Sequence, residues 1–318
     1  MRFSLFCCLI IASMFVLSAA EPVRIIFDTD LGNDVDDVLA LAELHAFETR
    51  GEARILAVTV TKDNRWAPIF IDMLDTFYGR PNIPIGMVKN GKTPDDGNYT
   101  RQVAANYPHH LKDPARLPDA VDLLKKTLAD QPDASVVIVQ VGFSTNLARL
   151  LEAPGGRELA ARKVRLLSIM GGDFRSRGFK EYNIVTDIPS AQKLFRDWPG
   201  RIVASGFDIG ESIAYPARNI AADFQYIEHH PVADAYRAYK PMPYDEPLWD
   251  PTAALYAIRP DEGYFGTSPA GTITVDNQGV TSFSPAANGK HHYLTINEAQ
   301  TARIREAISL LVSEPPKQ

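Results

Sequence analysis

Arg24-Ile25-Ile26-Phe27-Asp28-Thr29-Asp30-Leu31-Gly32-Asn33-Asp34-Val35-Asp36-Asp37 is the stretch on which the reading of this sequence turns. Its first part, Arg24 to Phe27, has the β-branched and aromatic character of a buried strand. Its second part carries five carboxylates, Asp28, Asp30, Asp34, Asp36 and Asp37, within ten residues and with no Lys or Arg among them. Like charges so close repel one another strongly at low dielectric unless a cation neutralises them. A solvated loop capping a helix that starts near Asp37 accounts for one or two of these aspartates, not for five behind a buried strand. A set of ligands made only of oxygen points to Ca²⁺ or Mg²⁺ and away from zinc.

Outward from that stretch, short β-branched runs alternate with helical patterns. Strands are expected at Arg24 to Phe27, Arg54 to Thr61, Ile83 to Val88, Ser135 to Val141, Val164 to Met170 and Arg201 to Gly206. Helices are expected at Asp37 to Thr49, Trp66 to Tyr78, Ala120 to Ala129, Asn146 to Glu152, Ser190 to Asp197 and Thr252 to Ile258. This rhythm predicts an α/β fold, a doubly wound and mostly parallel sheet with helices on both faces. Thr272 to Val275 and Val280 to Phe283 flank Asp276-Asn277-Gln278-Gly279 and predict a late β-hairpin. The Pro-rich stretch from Pro231 to Pro251 reads as long loops within one domain spanning 21–318, because the helical pattern after it is too short for a second core.

The first twenty residues stand apart. Arg2 is a short basic region, Phe3 to Leu17 is almost wholly apolar, and Ser18-Ala19-Ala20 offers a small-residue cleavage site. A secretory signal peptide over 1–20 is therefore expected, with a secreted or periplasmic location and no membrane attachment after cleavage near Ala20. Both cysteines, Cys7 and Cys8, fall within it. The 318 residues carry 33 Lys and Arg against 39 Asp and Glu, a net charge of −6, and 45% of them are hydrophobic. That balance, without a basic block, excludes a nucleic-acid groove and fits a small polar substrate. Self-association into a homo-oligomer stays open.

In an open parallel sheet, ligands sit beyond the carboxyl ends of the strands. Lys62-Asp63-Asn64, Thr145-Asn146-Leu147-Ala148, Met170-Gly171-Gly172, Glu181-Tyr182-Asn183 and Trp249-Asp250-Pro251 all follow strands or open late helices. Each is weak alone; their order is specific. With the Asp-x-Asp opening and the Asp36-Asp37 pair, the chain resembles the inosine-uridine preferring nucleoside hydrolases over nearly its whole length, as a secreted bacterial-type member with an extended opening motif. The family's shorter opening has two residues fewer, so Asp34 and Asp36 compete for the sugar-contacting place; Asp36, adjoining Asp37, is the expected one.

The resemblance implies a Rossmann-like core and the hydrolysis of ribonucleosides to free base and ribose. It implies one Ca²⁺, rather than Mg²⁺, held by Asp30, Asp37, Asp250 and the backbone carbonyl of Val141. Asp30 would also serve as general base for the attacking water. Asp36, Asn64, Glu181 and Asn183 would contact the ribose and Trp249 the base, with Asp28, Asp34 and Met170 in support. Many family members have a histidine where this chain has Trp249, and an indole is no general acid. Tyr107, His109, His110, His229, His230, Tyr236 and Tyr239 are the loop residues that could donate a proton instead.

Two other readings compete. The same scaffold could bind a nucleoside or sugar without turnover. A haloacid-dehalogenase-like phosphatase also opens with Asp-x-Asp, using the first aspartate as nucleophile, but Gly32 departs from its pattern and the Asp36-Asp37 pair is then unexplained.

Overall fold

Residues 21–175 and 178–317 are described by the structure, a computed structural model. The expected signal peptide at 1–20 lies outside the described residues. Six strands are parallel and form the centre of one sheet: β1 (Val23–Thr29), β2 (Ala53–Lys62), β3 (Ile85–Lys92), β4 (Val136–Gln140), β5 (Val164–Met170) and β6 (Ile202–Ser205). Their order is β3-β2-β1-β4-β5-β6, so the winding reverses between β1 and β4.

Alternation along the strands explains the layers. In β1, Ile25 and Phe27 pack into one hydrophobic cluster while Ile26 packs into another. In β4, Val137 and Val139 join the first cluster, and Val136 and Ile138 the second. A parallel sheet buried on both faces needs apolar residues at every position, which these runs supply. Helix α1 (Asp36–Thr49) lies in the first layer and is buried on nearly all sides, packed against the helix Trp249–Ile258 and the C-terminal helix Glu298–Val312. Helices Ala120–Ala129, Thr145–Glu152 and Ile188–Asp197 cover the other face.

Two short strands, β7 (Ala214–Tyr215) and β8 (Glu246–Pro247), pair antiparallel outside the main sheet. Beyond β6, the sheet continues through β12 (His291–Thr295), which is parallel to it. Strand β9 (Gly266–Thr267) pairs with β12. Strands β10 (Gly271–Val275) and β11 (Thr281–Pro285) form the expected hairpin at the edge.

The Pro231 to Pro251 stretch departs from expectation. It contains a helix, Pro231–Tyr239, whose first residue is a proline and whose N-cap His230 accepts from the Val232 N–H. Proline at the first helical position loses nothing, since that N–H has no helical partner. The helix Glu298–Val312 was not expected either. It begins with a capping box between Asn297 and Gln300. Among the described residues, no helix is long and apolar enough to cross a membrane.

Candidate active site

The reversal point between β1 and β4 is where such a sheet opens a crevice at its carboxyl end. A cleft open to solvent lies there, with a cavity volume of about 140 Å³. Asp30, Asp34, Asp36, Asp37 and Asp250 line it with Val141, Met170, Glu181, Asn183 and Trp249. Residues from opposite ends of the sequence thus meet in one place.

Asp36 and Asp37 form the first turn of α1, and Asp250 lies in the first turn of the helix Trp249–Ile258, inside it and not at its cap. Their carboxylate oxygens come within 4.8 Å of one another, and all three residues are buried. The backbone N–H of Asp250 donates to Asp36 Oδ2 at 2.9 Å, and Thr29 Oγ1 donates to Asp37 Oδ1. Burial, and then the charges of their neighbours, push all three carboxyls well above the usual range. This trio therefore contains Asp36 where the family resemblance implied Asp30. Asp30 lines the same cleft; burial pushes its carboxyl up to about 7, against the hydrogen bond from Asn33, and the charge of Asp34 adds to the rise. A cluster of oxygen donors destabilised by mutual repulsion fits a hard divalent cation.

Asp28 lies inside β1, opposite Thr59 of β2 and Gln140 of β4. Its Oδ1 accepts from Thr59 Oγ1 at 2.6 Å and from Asn146 Nδ2 at 2.8 Å, and its backbone carbonyl accepts from Val141 N–H at 2.7 Å. It holds Val141 in place but is fully buried and does not line the cleft. A nucleophile must be reachable, so the phosphatase reading loses its central residue. Asn183 donates from Nδ2 to the Val141 carbonyl at 2.7 Å and to Met170 Sδ at 3.3 Å. Glu181 caps the short helix Tyr182–Thr186, its carboxylate accepting from the Asn183, Ile184 and Gly172 N–H groups. Burial raises it to about 7 against those three hydrogen bonds.

Asn64 is not in the cleft. Strand β2 runs on to Lys62, and the chain then turns so that Asn64 Nδ2 donates to the Pro94 carbonyl at 2.9 Å and to Asp96 Oδ1 at 3.0 Å. The residue that reaches the acidic loop is Lys62, whose Nζ donates to Asn33 Oδ1 at 2.8 Å. A cation thus does stand beside the aspartates, although none lies among them in sequence.

Phe207 and Phe179 were also missed. Phe207 stacks on Trp249 with ring centroids 5.4 Å apart, and Phe179 packs on Phe207 at 4.4 Å. All three line the cleft. The Trp249 indole donates its N–H to the Phe207 carbonyl at 3.1 Å, so it presents ring surface instead of a free donor. Both phenylalanines lie in loops or a short helix with no periodic signal, and only proximity in space reveals them.

Of the seven loop residues that could donate a proton, none lines this cleft. Tyr107 donates to Asp234 at 2.5 Å, His110 pairs with Thr76, and His230 pairs with Tyr226 while capping its helix. Tyr239 comes nearest, its hydroxyl 3.3 Å from Asp34 Oδ1 in an adjoining recess.

The model of the inosine-uridine preferring nucleoside hydrolase family matches residues 25–306. No curated protein sequence matches the chain. Among solved structures, a plant nucleoside hydrolase is 20% identical with a TM-score of 0.73, over 92% of this chain and 100% of that one. A purine-preferring ribonucleoside hydrolase from Gardnerella vaginalis is 18% identical with a TM-score of 0.71, over 91% and 99%. The inosine-uridine preferring nucleoside hydrolase from Bacillus anthracis is 19% identical with a TM-score of 0.72, over 91% and 99%. At these identities the likeness is one of fold.

Proposed function

The chain belongs to the inosine-uridine preferring nucleoside hydrolase family, and from that membership we propose a Ca²⁺-dependent hydrolase of purine ribonucleosides that works outside the cytoplasm. N-ribosyl hydrolysis is the activity of the family. The observation that carries the finer reading is the meeting of Asp36, Asp37 and Asp250 on the wall of a cleft that also holds Asp30 and Asn183.

Asp30, Asp37, Asp250 and the Val141 carbonyl would hold the cation, with Asp36 alongside. A bound divalent ion supplies Lewis acidity and neutralises the carboxylates. Asp30, lining the cleft beside these carboxylates, would accept the proton of the attacking water. As the N-glycosidic bond breaks, positive charge grows on the ribosyl ring, and the carboxylates beside it stabilise that charge. Asp36 and Asn183 bind the ribose hydroxyls, with Glu181 at the 5′ end. Asp34 supports the loop, held through its backbone carbonyl by Tyr99 Oη at 2.6 Å.

Purine preference rests on the Phe179, Phe207 and Trp249 rings, a surface suited to a bicyclic base. The cleft holds no histidine among the described residues, and the stacked rings would assist departure of the base. The basic Arg2 and the apolar run to Leu17 support export of the mature protein.

The test is ribose release from adenosine, inosine, guanosine, uridine and cytidine. Release from purines ahead of pyrimidines is expected. Binding of every nucleoside without release would instead favour the non-catalytic reading.

A further inference from the structure

Lys62 is a lysine with no exposed surface, placed at the end of β2 between two loops. Its stem passes beneath Gly32, where an added Cβ would lie 3.4 Å from Lys62 Cδ and Cε. Gly32 itself adopts a φ of +114°, which L side chains rarely take. On the outer side the second loop closes over it, so tightly that a Cβ on Gly97 would come within 2.0 Å of the Gly32 carbonyl oxygen. The ammonium group donates to Asn33 Oδ1 at 2.8 Å and reaches Asp95 Oδ1 at 3.4 Å.

Asn33 carries the contact onward. Its Nδ2 donates to Asp30 Oδ2 at 2.6 Å. A cation bound to the oxygen of an amide polarises it, so its N–H groups become stronger donors. The chain Lys62–Asn33–Asp30 thus begins at a fixed charge and ends on the carboxylate assigned as the base. Asp95 does not explain Lys62 on its own. Its side chain is 69% exposed, and an ion pair to so exposed a partner returns little of what burying an ammonium group costs.

We propose that Lys62 is the positioning residue of the reaction: acting through Asn33, it fixes the orientation of the Asp30 carboxylate for attack. This inference rests on the hydrolase reading, in which Asp30 accepts the proton. Lys62 touches neither ribose nor base, so its loss should affect turnover more than binding.

The experiment is a double-mutant cycle in the full-length mature protein at saturating Ca²⁺. Lys62→Met keeps the apolar stem under Gly32 and removes the charge. It should lower kcat about 10–100-fold, as loss of a supporting shell around a reacting group does, with KM within about threefold. Asn33→Ala should do the same. In the double variant, Lys62→Met should cost no more than about a further threefold, because the relay is already broken. If Lys62→Met does not fold, Asn33→Ala alone tests the relay by the same split between kcat and KM. Equal losses for Lys62→Met in both backgrounds, or kcat retained within threefold in either single variant, would overturn the proposal. Wild-type protein that releases ribose while the variants keep pace refutes the relay alone; wild-type protein that releases none refutes the hydrolase reading and the relay with it.

Discussion

Asp36 accepts the backbone N–H of Asp250 at 2.9 Å, tying the first turn of α1 to the first turn of a helix 214 residues later. The same contact brings two carboxylates together that burial has already stripped of water. Without a cation this arrangement opposes folding.

Asp36→Asn should therefore stabilise the cation-free protein. Asparagine keeps an oxygen for the Asp250 N–H and removes one of the repelling charges. A rise in Tm of about 2–4 °C is expected in chelator, the shift of about 1 kcal/mol in a chain of this size. The rise that Ca²⁺ produces should shrink. Thermal melts with and without chelator decide; a lower Tm in chelator would contradict the repulsion argument.

The same electrostatics set a pH dependence. Burial raises Asp28, Asp30 and Glu181 to about 7, from 3.8 for the aspartates and 4.5 for the glutamate. Asp36, Asp37 and Asp250 are raised well above the usual range by burial and then by neighbouring acids, Asp30 and Asp34 among them. The folded state thus binds more protons than the unfolded one between about pH 4 and 7, so the stability these groups contribute is lost as pH rises through that window. In chelator, Tm should be higher near pH 5 than near pH 8. Saturating Ca²⁺ should reduce that difference, because the ion favours the ionised carboxylates. Chelated protein that melts higher near pH 8 would count against the shifts.

Asp30→Asn and Asp28→Asn should separate chemistry from scaffold. The first removes the proton acceptor, and kcat should fall by about three orders of magnitude or more with a much smaller change in KM. The second changes a residue that touches only β2, β4 and the Asn146 helix, so kcat should stay within about tenfold while Tm falls. The reverse ranking would reassign the base.

Trp249→Ala should reduce kcat/KM for purine ribonucleosides about tenfold, roughly the value of one aromatic stacking contact, and affect pyrimidine ribonucleosides less. Trp249→Phe should recover most of the loss. Equal effects on both base classes would remove the base from this wall of the cleft.

Much of this was legible in sequence. Val164–Met170 and Ala120–Ala129 have the expected limits because apolar periodicity and a capping Asp119 mark them. Asp30, Asp34, Asp36 and Asp37 meet at the carboxyl rim of the sheet because they follow β1, and Asp250 joins them because the helix Trp249–Ile258 packs against α1. Other features had no one-dimensional signature. Asn64 was expected at the ribose because it follows β2, but one further strand residue and a turn send it to the 94–96 segment and bring Lys62 inward. Phe179 and Phe207 reach Trp249 only through the packing of separate loops. The Pro231–Tyr239 helix was hidden by its place in a Pro-rich stretch, whereas the final helix carries a signal in its capping Asn297 that was there to be read.

The most direct measurement is ribose release from a purine ribonucleoside by chelated protein, titrated with Ca²⁺. Release should be absent in chelator and return with a saturable dependence on the ion, as Asp37 and Asp250 take it up. Undiminished release in chelator, at a rate that added Ca²⁺ does not change, would contradict the account.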